Sequence, residues 1–253
     1  QVFVSDTFTN HNRISAKQDL SLFASELYNY GDLGGLTTHL DVGSIYNTGL
    51  LFGQNQLNVY SDRLYNHQGD MFTFGDMILA KDSALNKSLE IVNDHGLIQS
   101  QGNLRFSSRS LRNEGSYTLV APVAVSDPIV YNPYAACFEN PMICMGEGVR
   151  ATKTSITRYV PSATNMQTAK IIAGGSLIGN ADQLKNNVSY IGAAGNISLS
   201  GVDLFNTAGT ATQNVHTTVE DRWWYKKSTS RGHKNRLDGT GRSFDTSETV
   251  SVA

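Results

Sequence analysis

Three side chains that could bind a cation or share a proton, His67, Asp94 and Glu114, occupy one position of a sequence repeat. Each directly follows an asparagine that ends a triplet of an apolar residue, any residue and asparagine. If successive repeats pair as parallel strands, these side chains lie about 5 Å apart on adjacent strands. An imidazole beside two carboxylates could hold a metal ion or an acid pair. Turn positions are often polar and exposed, so we expect a structural role and no metal site here, with a cation site or an acid pair as the alternative.

The triplet that positions these residues occurs eight times along the chain. Successive triplet asparagines are 19, 18, 19, 27, 20, 73 and 20 residues apart. An asparagine at a constant place predicts a corner of stacked repeats, because its amide bonds to nearby backbone and identical amides can bond to one another as a ladder. The predicted ladder consists of Asn10, Asn29, Asn47, Asn66, Asn93, Asn113, Asn186 and Asn206.

A second repeated element is a step of two apolar residues separated by one residue. It begins 10 or 11 residues after the preceding triplet asparagine. The period of two indicates strands with one buried face, and it predicts that Leu20, Leu57, Leu104 and Ile197 share a core. The six steps are Leu20-Ser21-Leu22, Leu40-Asp41-Val42, Leu57-Asn58-Val59, Met77-Ile78-Leu79, Leu104-Arg105-Phe106 and Ile197-Ser198-Leu199.

The two spacings together predict an all-β fold, a right-handed parallel β-helix. Each coil has about 20 residues and pairs with the next through parallel ladders. A β-sandwich is the alternative, but it does not explain the recurrent asparagine. The predicted β-helix occupies residues 1–115 and 168–208, an extra-helical excursion covers 116–167, and residues 209–253 form an irregular basic and aromatic tail, with a hairpin as the alternative.

The excursion contains all five prolines of the chain and both cysteines. We expect Cys137 and Cys144 to form a disulfide that closes a short loop, which indicates an oxidising compartment. The excursion is either a surface insertion or a recognition element. The candidate receptor-binding residues are apolar and aromatic side chains of the excursion and tail: Tyr131, Tyr134, Phe138, Met142, Ile143, Met145, Trp223 and Trp224.

Composition narrows the function classes. The net charge of −2 gives no overall positive potential that would attract nucleic acid or an anionic membrane. The sequence contains no run of about 18 apolar residues, so it predicts no membrane-spanning segment. No phosphate-binding, dinucleotide or hydrolase motif occurs, so we expect no cofactor and no enzymatic activity. A β-helix enzyme acting on glycans is the catalytic alternative.

Gln1 falls within the pattern, so we expect a piece of a longer chain.

The stretches Ile98-Gln99-Ser100-Gln101-Gly102-Asn103-Leu104 and Ile191-Gly192-Ala193-Ala194-Gly195-Asn196-Ile197 carry a family resemblance, as does Gly174-Gly175-Ser176-Leu177. They resemble the haemagglutinin repeats of filamentous haemagglutinin and of CdiA-type contact-dependent growth inhibition proteins. The resemblance covers roughly residues 7–115 and 168–208. It implies a secreted filament on the surface of a Gram-negative bacterium, exported by an outer-membrane transporter in two-partner secretion.

The resemblance also implies a role. We expect a monomeric, non-catalytic segment of an adhesin or toxin-delivering filament that binds an outer-membrane receptor, protein or glycan, on a neighbouring bacterial cell or a host. A pure structural spacer is the alternative. The expected partners are therefore that receptor and the export transporter, with no nucleic acid.

Overall fold

The computed structural model describes residues 1–132, 150–201 and 203–252; at 150, 224–229 and 232–237 only the backbone is described. These residues form strands and turns, and the described part of the chain contains no helix, hence none that could cross a membrane. The prediction of an all-β chain is confirmed for these residues. Two compact units share the strands: unit 1 comprises Gln1–Thr118 and Asn165–Gly209, and unit 2 comprises Leu119–Thr164 and Thr210–Val252.

The strands fall into two sheets. The first sheet contains β1 (Val2–Phe3), β2 (Thr7–Asn10), β3 (Arg13–Ser15), β4 (Leu20–Asn29), β5 (Asp32–Asn47), β6 (Leu50–Tyr60), β7 (Arg63–His67), β8 (Asp70–Thr73), β9 (Asp76–Ala80), β10 (Ser88–Asp94), β11 (Leu97–Ser100), β12 (Leu104–Glu114), β16 (Lys170–Ala173), β17 (Leu177–Asn187), β18 (Tyr190–Ala193), β19 (Ile197–Ser200) and β20 (Asp203–Thr207). The second sheet contains β13 (Ser116–Ser126), β14 (Val130–Asn132), β15 (Arg150–Gln167), β21 (Thr210–Thr229) and β22 (Gly232–Ser251).

Every strand pairing described in the first sheet is parallel, and each strand pairs with its equivalent in the next repeat. Leu27 pairs with Ile45, and Leu64 pairs with Ile91 although the repeat between them is longer. Leu111 pairs with Leu184, on the far side of the excursion, without a change of register. The excursion therefore interrupts the sequence repeat but not the strand pairing.

The apolar residue of each triplet points into the core of unit 1. The six from Leu27 to Leu184 are in register and at most 1% exposed. Burying each such side chain contributes about 1.5–3 kcal/mol, and stacking like on like lets one repeat pack against the next. Leu204 stands at the end of this column and is 56% exposed.

The triplet asparagines form a continuous row of side-chain hydrogen bonds. The Nδ2 atom of each donates to the Oδ1 atom of the next at 2.7–2.8 Å, through all eight residues from Asn10 to Asn206. Most of these amides also donate to a carbonyl of their own corner, as Asn66 does to Gly69 at 2.8 Å. Since the asparagine side chain is held inward, the residues on either side of it point outward.

The apolar step follows the predicted register except in one repeat. Leu20 and Leu57 are both paired with Thr38, two residues before the predicted Leu40, because the register shifts between Gly35 and Thr37. Thr38 is fully buried, and its hydroxyl donates to the carbonyl of Phe52. Leu20, Leu57 and Leu104 lie in one core cluster. Ile197 is in register with them, but it is 50% exposed at the end of the sheet.

The second sheet is antiparallel wherever its pairing is described, unlike the first. The strands β21 and β22 form a hairpin in register from Thr210–Ser251 to Thr229–Gly232. The strand β15 pairs antiparallel with both β14 and β21. The tail is therefore a regular hairpin rather than an irregular segment, and it joins the excursion in one sheet. The pairing of β15 with β21 joins segments that are far apart in the chain, so the local sequence pattern does not predict it.

Candidate functional site

The register places His67, Asp94 and Glu114 on the adjacent strands β7, β10 and β12, as the repeat predicts. The Nδ1 atom of His67 lies 2.6 Å from Oδ2 of Asp94. The next residue, His95, also brings its Nδ1 atom to within 2.5 Å of Oδ1 of Asp94, although this atom makes no aligned hydrogen bond. Asp94 thus lies between two imidazoles.

The structure does not gather these three residues into a cation site. The carboxylate of Glu114 is 3.5 Å from Nη1 of Arg112 on its own strand, so it has a positively charged partner already. No group of three His, Cys, Asp or Glu side chains among the described residues could hold a metal ion. The alternation of the strands explains this, because Arg112 lies close enough to neutralise the acid that the repeat brings beside Asp94.

Arg112 is the centre of a network that the repeat position alone does not reveal. Its Nη2 atom lies 3.1 Å from Oε1 of Glu90, whose other oxygen accepts a hydrogen bond from the hydroxyl of Tyr65 at 2.8 Å. Arg63 approaches the same carboxylate at 3.6 Å. Partly exposed ion pairs each contribute only about 0–1 kcal/mol, so the network matters chiefly for holding the Arg112 side chain in place. Register could have found it, since Arg63 pairs with Glu90, and Tyr65 with Val92 and then Arg112.

These side chains border a shallow groove of about 260 Å³ on the outer surface of unit 1. The rings of Tyr46 and His67 lie 6.4 Å apart and nearly parallel, at 26°. Next to them, the rings of Tyr28 and Tyr46 are 6.1 Å apart. We name this the Tyr–Arg groove, and its principal lining residues are Tyr46, Tyr65, His67, Asp94, Arg112 and Glu114. It combines aromatic faces with carboxylate acceptors and a guanidinium donor.

One polar atom of the groove lacks a partner. The Nε atom of Arg112 is buried and makes no hydrogen bond within the described part of the chain. Such atoms are rare in folded proteins, because an unpaired buried donor costs about 1–3 kcal/mol.

The predicted receptor-binding residues are only partly within the described structure. Cys137, Cys144, Tyr134, Phe138, Met142, Ile143 and Met145 lie outside the described residues, and so does the side chain of Trp224. Tyr131 on β14 pairs with Lys153 of β15, and Trp223 on β21 pairs with Arg150, also of β15. Both side chains are partly buried. The structure therefore brings these two aromatic residues into one sheet.

Polar pairs connect the strands of that sheet and the turn after β13. The hydroxyl of Thr152 donates to Oδ1 of the buried Asp221 at 2.7 Å, and Arg158 lies 3.0 Å from Asp127. His216 and Asp245 approach to 2.6 Å between β21 and β22. Cross-strand pairs of this kind contribute roughly 0.2–1 kcal/mol each.

Comparison with known proteins gives similarity to one kind of exoprotein. The chain is 26% identical over 229 residues to a tRNA nuclease CdiA of Escherichia coli O6:K15:H31 (strain 536 / UPEC), with 74% of this chain and 7% of that protein covered. It is 26% identical over 199 residues to a toxin CdiA of Escherichia coli, covering 71% and 6%. A tRNA nuclease CdiA of Escherichia coli strain STEC_O31 is 28% identical over 193 residues, covering 65% and 6%.

The resemblance to CdiA-type exoproteins is confirmed. No family model matches the sequence, and no solved structure matches it. The chain spans about 7% of the length of these CdiA relatives, and the words nuclease and toxin in their names describe those whole proteins.

Proposed function

We propose that this chain is a non-catalytic segment of a secreted contact-dependent growth inhibition exoprotein. In this proposal unit 1 is a right-handed parallel β-helix of haemagglutinin-repeat type, and unit 2 contributes receptor binding to an outer-membrane component of a neighbouring cell. Export by an outer-membrane transporter and a place on the surface of a Gram-negative bacterium belong to the same proposal. The ladder of eight asparagines, in a chain similar to CdiA, is the observation that carries it.

The pairing of unit 1 supports the β-helix. Each strand pairs in parallel with its equivalent in the next repeat, and this holds even where the excursion intervenes. Parallel strands require a crossover connection, and crossovers within one sheet are right-handed in about 98% of cases. Residues that stack on their own equivalents can continue through many repeats, which is what an extended filament needs.

Engaged polar groups support the non-catalytic role. The ladder asparagines are bonded to one another and to backbone, and the outward carboxylates Glu90, Asp94 and Glu114 each have a basic partner. We infer that the nuclease activity named for the relatives belongs to another part of those much longer proteins. Incubation of the purified chain with tRNA, and separately with polysaccharides, tests this point. Cleavage of either substrate would show that the chain is catalytic.

The contrast between the two units supports receptor binding by unit 2. Unit 1 repeats one pattern, whereas unit 2 is an antiparallel sheet assembled from two separate segments and bearing Tyr131 and Trp223. Aromatic side chains are enriched at protein interfaces because they bury a large area with few rotatable bonds. A spacer would have no need of a second sheet, although a spacer is the alternative that the experiment must separate.

Binding of the labelled full chain to outer-membrane vesicles from Gram-negative bacteria tests the proposal. We expect saturable binding, with an affinity that falls at least tenfold in Trp223→Ala. The affinity should be unchanged in the control Tyr190→Ala, which removes an exposed aromatic ring from unit 1. Both variants should keep the parent's circular dichroism spectrum, which shows that they are folded at the temperature of the binding assay. The absence of saturable binding would identify a spacer, and equal loss in both variants would remove the role of unit 2.

A further inference from the structure

A row of tyrosines runs along the outer surface of unit 1. Tyr28, Tyr46 and Tyr65 are the middle residues of three successive triplets and are paired in register on β4, β5 and β7. Parallel strands are about 4.8 Å apart, so the row extends about 10 Å. Tyr28 is 36% exposed, and the rings of Tyr28 and Tyr46 lie side by side rather than packing into the core. The row leads directly into the Tyr–Arg groove.

Each charged side chain of the groove already has a polar partner. Arg112 lies between Glu90 and Glu114, Arg63 also approaches Glu90, and His67 lies beside Asp94. An anionic or cationic ligand would have to break one of these pairs. A hydroxyl group would not, because an ionised carboxylate has about four lone-pair positions and Glu114, whose one described partner is Arg112 at 3.5 Å, has some of them available. The groove therefore favours a neutral ligand with many hydroxyl groups.

The aromatic faces specify the rest of the ligand. A sugar ring has an apolar face of C–H groups, which packs on an aromatic ring, and a rim of hydroxyls, which bond to carboxylates and guanidinium groups. In the groove the ring of Tyr46 supplies the apolar surface, and Asp94, Glu114 and the guanidinium group of Arg112 are among the polar lining groups. We propose that the Tyr–Arg groove binds a neutral saccharide, with one ring in the groove and further rings along the tyrosine row.

This site is separate from the receptor contact proposed for unit 2. It depends on the proposed function only in placing its saccharide on the surface of a contacted cell. Its chemistry resides in strands β5, β7, β10 and β12, whose side chains are held by the ladder and the Arg112 network.

Titration of the full chain with neutral hexasaccharides tests the site directly. The probes are maltohexaose, cellohexaose and chitohexaose, with polygalacturonate as an anionic control, and binding is followed by saturation-transfer NMR and calorimetry. We expect at least one neutral probe to bind. Tyr46→Ala and Arg112→Leu should weaken it at least tenfold, and Arg112→Lys should not restore it, because an ammonium group cannot reproduce the planar guanidinium whose two terminal nitrogens reach Glu90 and Glu114.

Two variants keep the test interpretable if a substitution harms the fold. Tyr46→Phe preserves the ring and should retain binding within about threefold, whereas Tyr190→Ala removes an exposed tyrosine outside the groove and should bind like the parent. The proposal fails if no neutral probe binds, if only the polyanion binds, or if the groove variants bind as well as Tyr190→Ala.

Treated vesicles separate this proposal from the receptor proposal. If Tyr46→Ala weakens vesicle binding, periodate oxidation of the vesicle glycans should weaken the parent's binding in the same way. If the part of vesicle binding that depends on Tyr46 is lost after protease treatment but not after periodate oxidation, the groove contacts a protein and the saccharide proposal is overturned. Vesicle binding that depends on Trp223 alone, with no hexasaccharide bound, would refute the groove and leave the proposed function standing.

Discussion

Replacing Asn66 by alanine tests the ladder at its middle. The amide of Asn66 is fully buried, donates to Gly69 O and to Asn93 Oδ1 at 2.8 Å each, and accepts from Asn47 Nδ2 at 2.7 Å. Asn66→Ala removes these three bonds and a longer one, 3.4 Å, from Nδ2 to the carbonyl of Leu97. The carbonyl of Gly69 keeps the amide of Leu97, and Asn47 keeps its bond to Gly49 at 3.0 Å. The Oδ1 atom of Asn93 loses the one side-chain donor that it has within the described residues.

The cost follows from these partners. One buried acceptor left unpaired costs about 1–3 kcal/mol, and each bond whose partner is satisfied elsewhere contributes about 0.5–1.5 kcal/mol. We expect Asn66→Ala to lower the free energy of unfolding by about 2–4 kcal/mol. Asn206 ends the row, is exposed, and only accepts from Asn186, which keeps a bond to Ser189. Asn206→Ala should therefore cost less than about 1 kcal/mol.

Urea unfolding with native-state hydrogen exchange measures both variants, since exchange shows whether repeats open separately. Asn66→Asp provides a further comparison, because a carboxylate cannot donate and carries a buried charge, so it should cost more than alanine. Equal midpoints for Asn66→Ala, Asn206→Ala and the parent would refute the energetic role assigned to the ladder.

Three further predictions concern other parts of the chain. Gly96→Ala should lower the melting temperature, because its Cβ atom would lie 2.4 Å from a ladder amide, whereas Gly241→Ala meets no atom within 4 Å and should melt like the parent. Burial, with Asp82 and Asp41 nearby, raises the pKa of Tyr60, so the neutral phenol stabilises the fold below about pH 10 and this stabilisation is lost as the pH rises through the raised pKa. In thermal melts at increasing pH, Tyr60→Phe should therefore lose less stability than the parent above about pH 10. The same decrease of melting temperature with pH in both proteins would contradict this. Mass spectrometry should show Cys137 and Cys144 joined in the oxidised chain, a bridge that contributes about 2–3 kcal/mol by restricting the unfolded loop; two free thiols would end that prediction.

The repeat made the register of unit 1 predictable because one side-chain type recurs at one structural position. Asparagine at the triplet end locates the paired strands even across the long gap between Asn113 and Asn186. The apolar step is a weaker marker, since Leu40 also fits an apolar pattern while the register shift puts Thr38 in its place. Unit 2 escaped prediction because β15 and β21 pair over a long separation, and such pairing has no local signature.

The candidate site was predictable in position and not in chemistry. Counting from the asparagines brings His67, Asp94 and Glu114 onto neighbouring strands, which the structure shows. The same count does not predict which side chain each carboxylate pairs with. Arg112 pairs with Glu114 on its own strand and, because its side chain is long, also with Glu90 on the adjacent strand. Two of the carboxylates therefore belong to an ion-pair network rather than to a cation site.

The hydrogen bonds of the ladder all point one way. Each amide nitrogen faces the following repeat and each oxygen faces the preceding one, from Asn10 to Asn206. The amide dipoles are thus aligned head to tail and polarise one another, and the row has two chemically different ends. A repeat arriving at the carboxyl end meets the amide nitrogen of the last asparagine, a donor, and extends the row only with its own amide oxygen turned back, so a completed repeat acts as a template for the next. A chain that emerges amino end first can therefore fold in the order in which it appears, with each corner setting the direction of the one that follows.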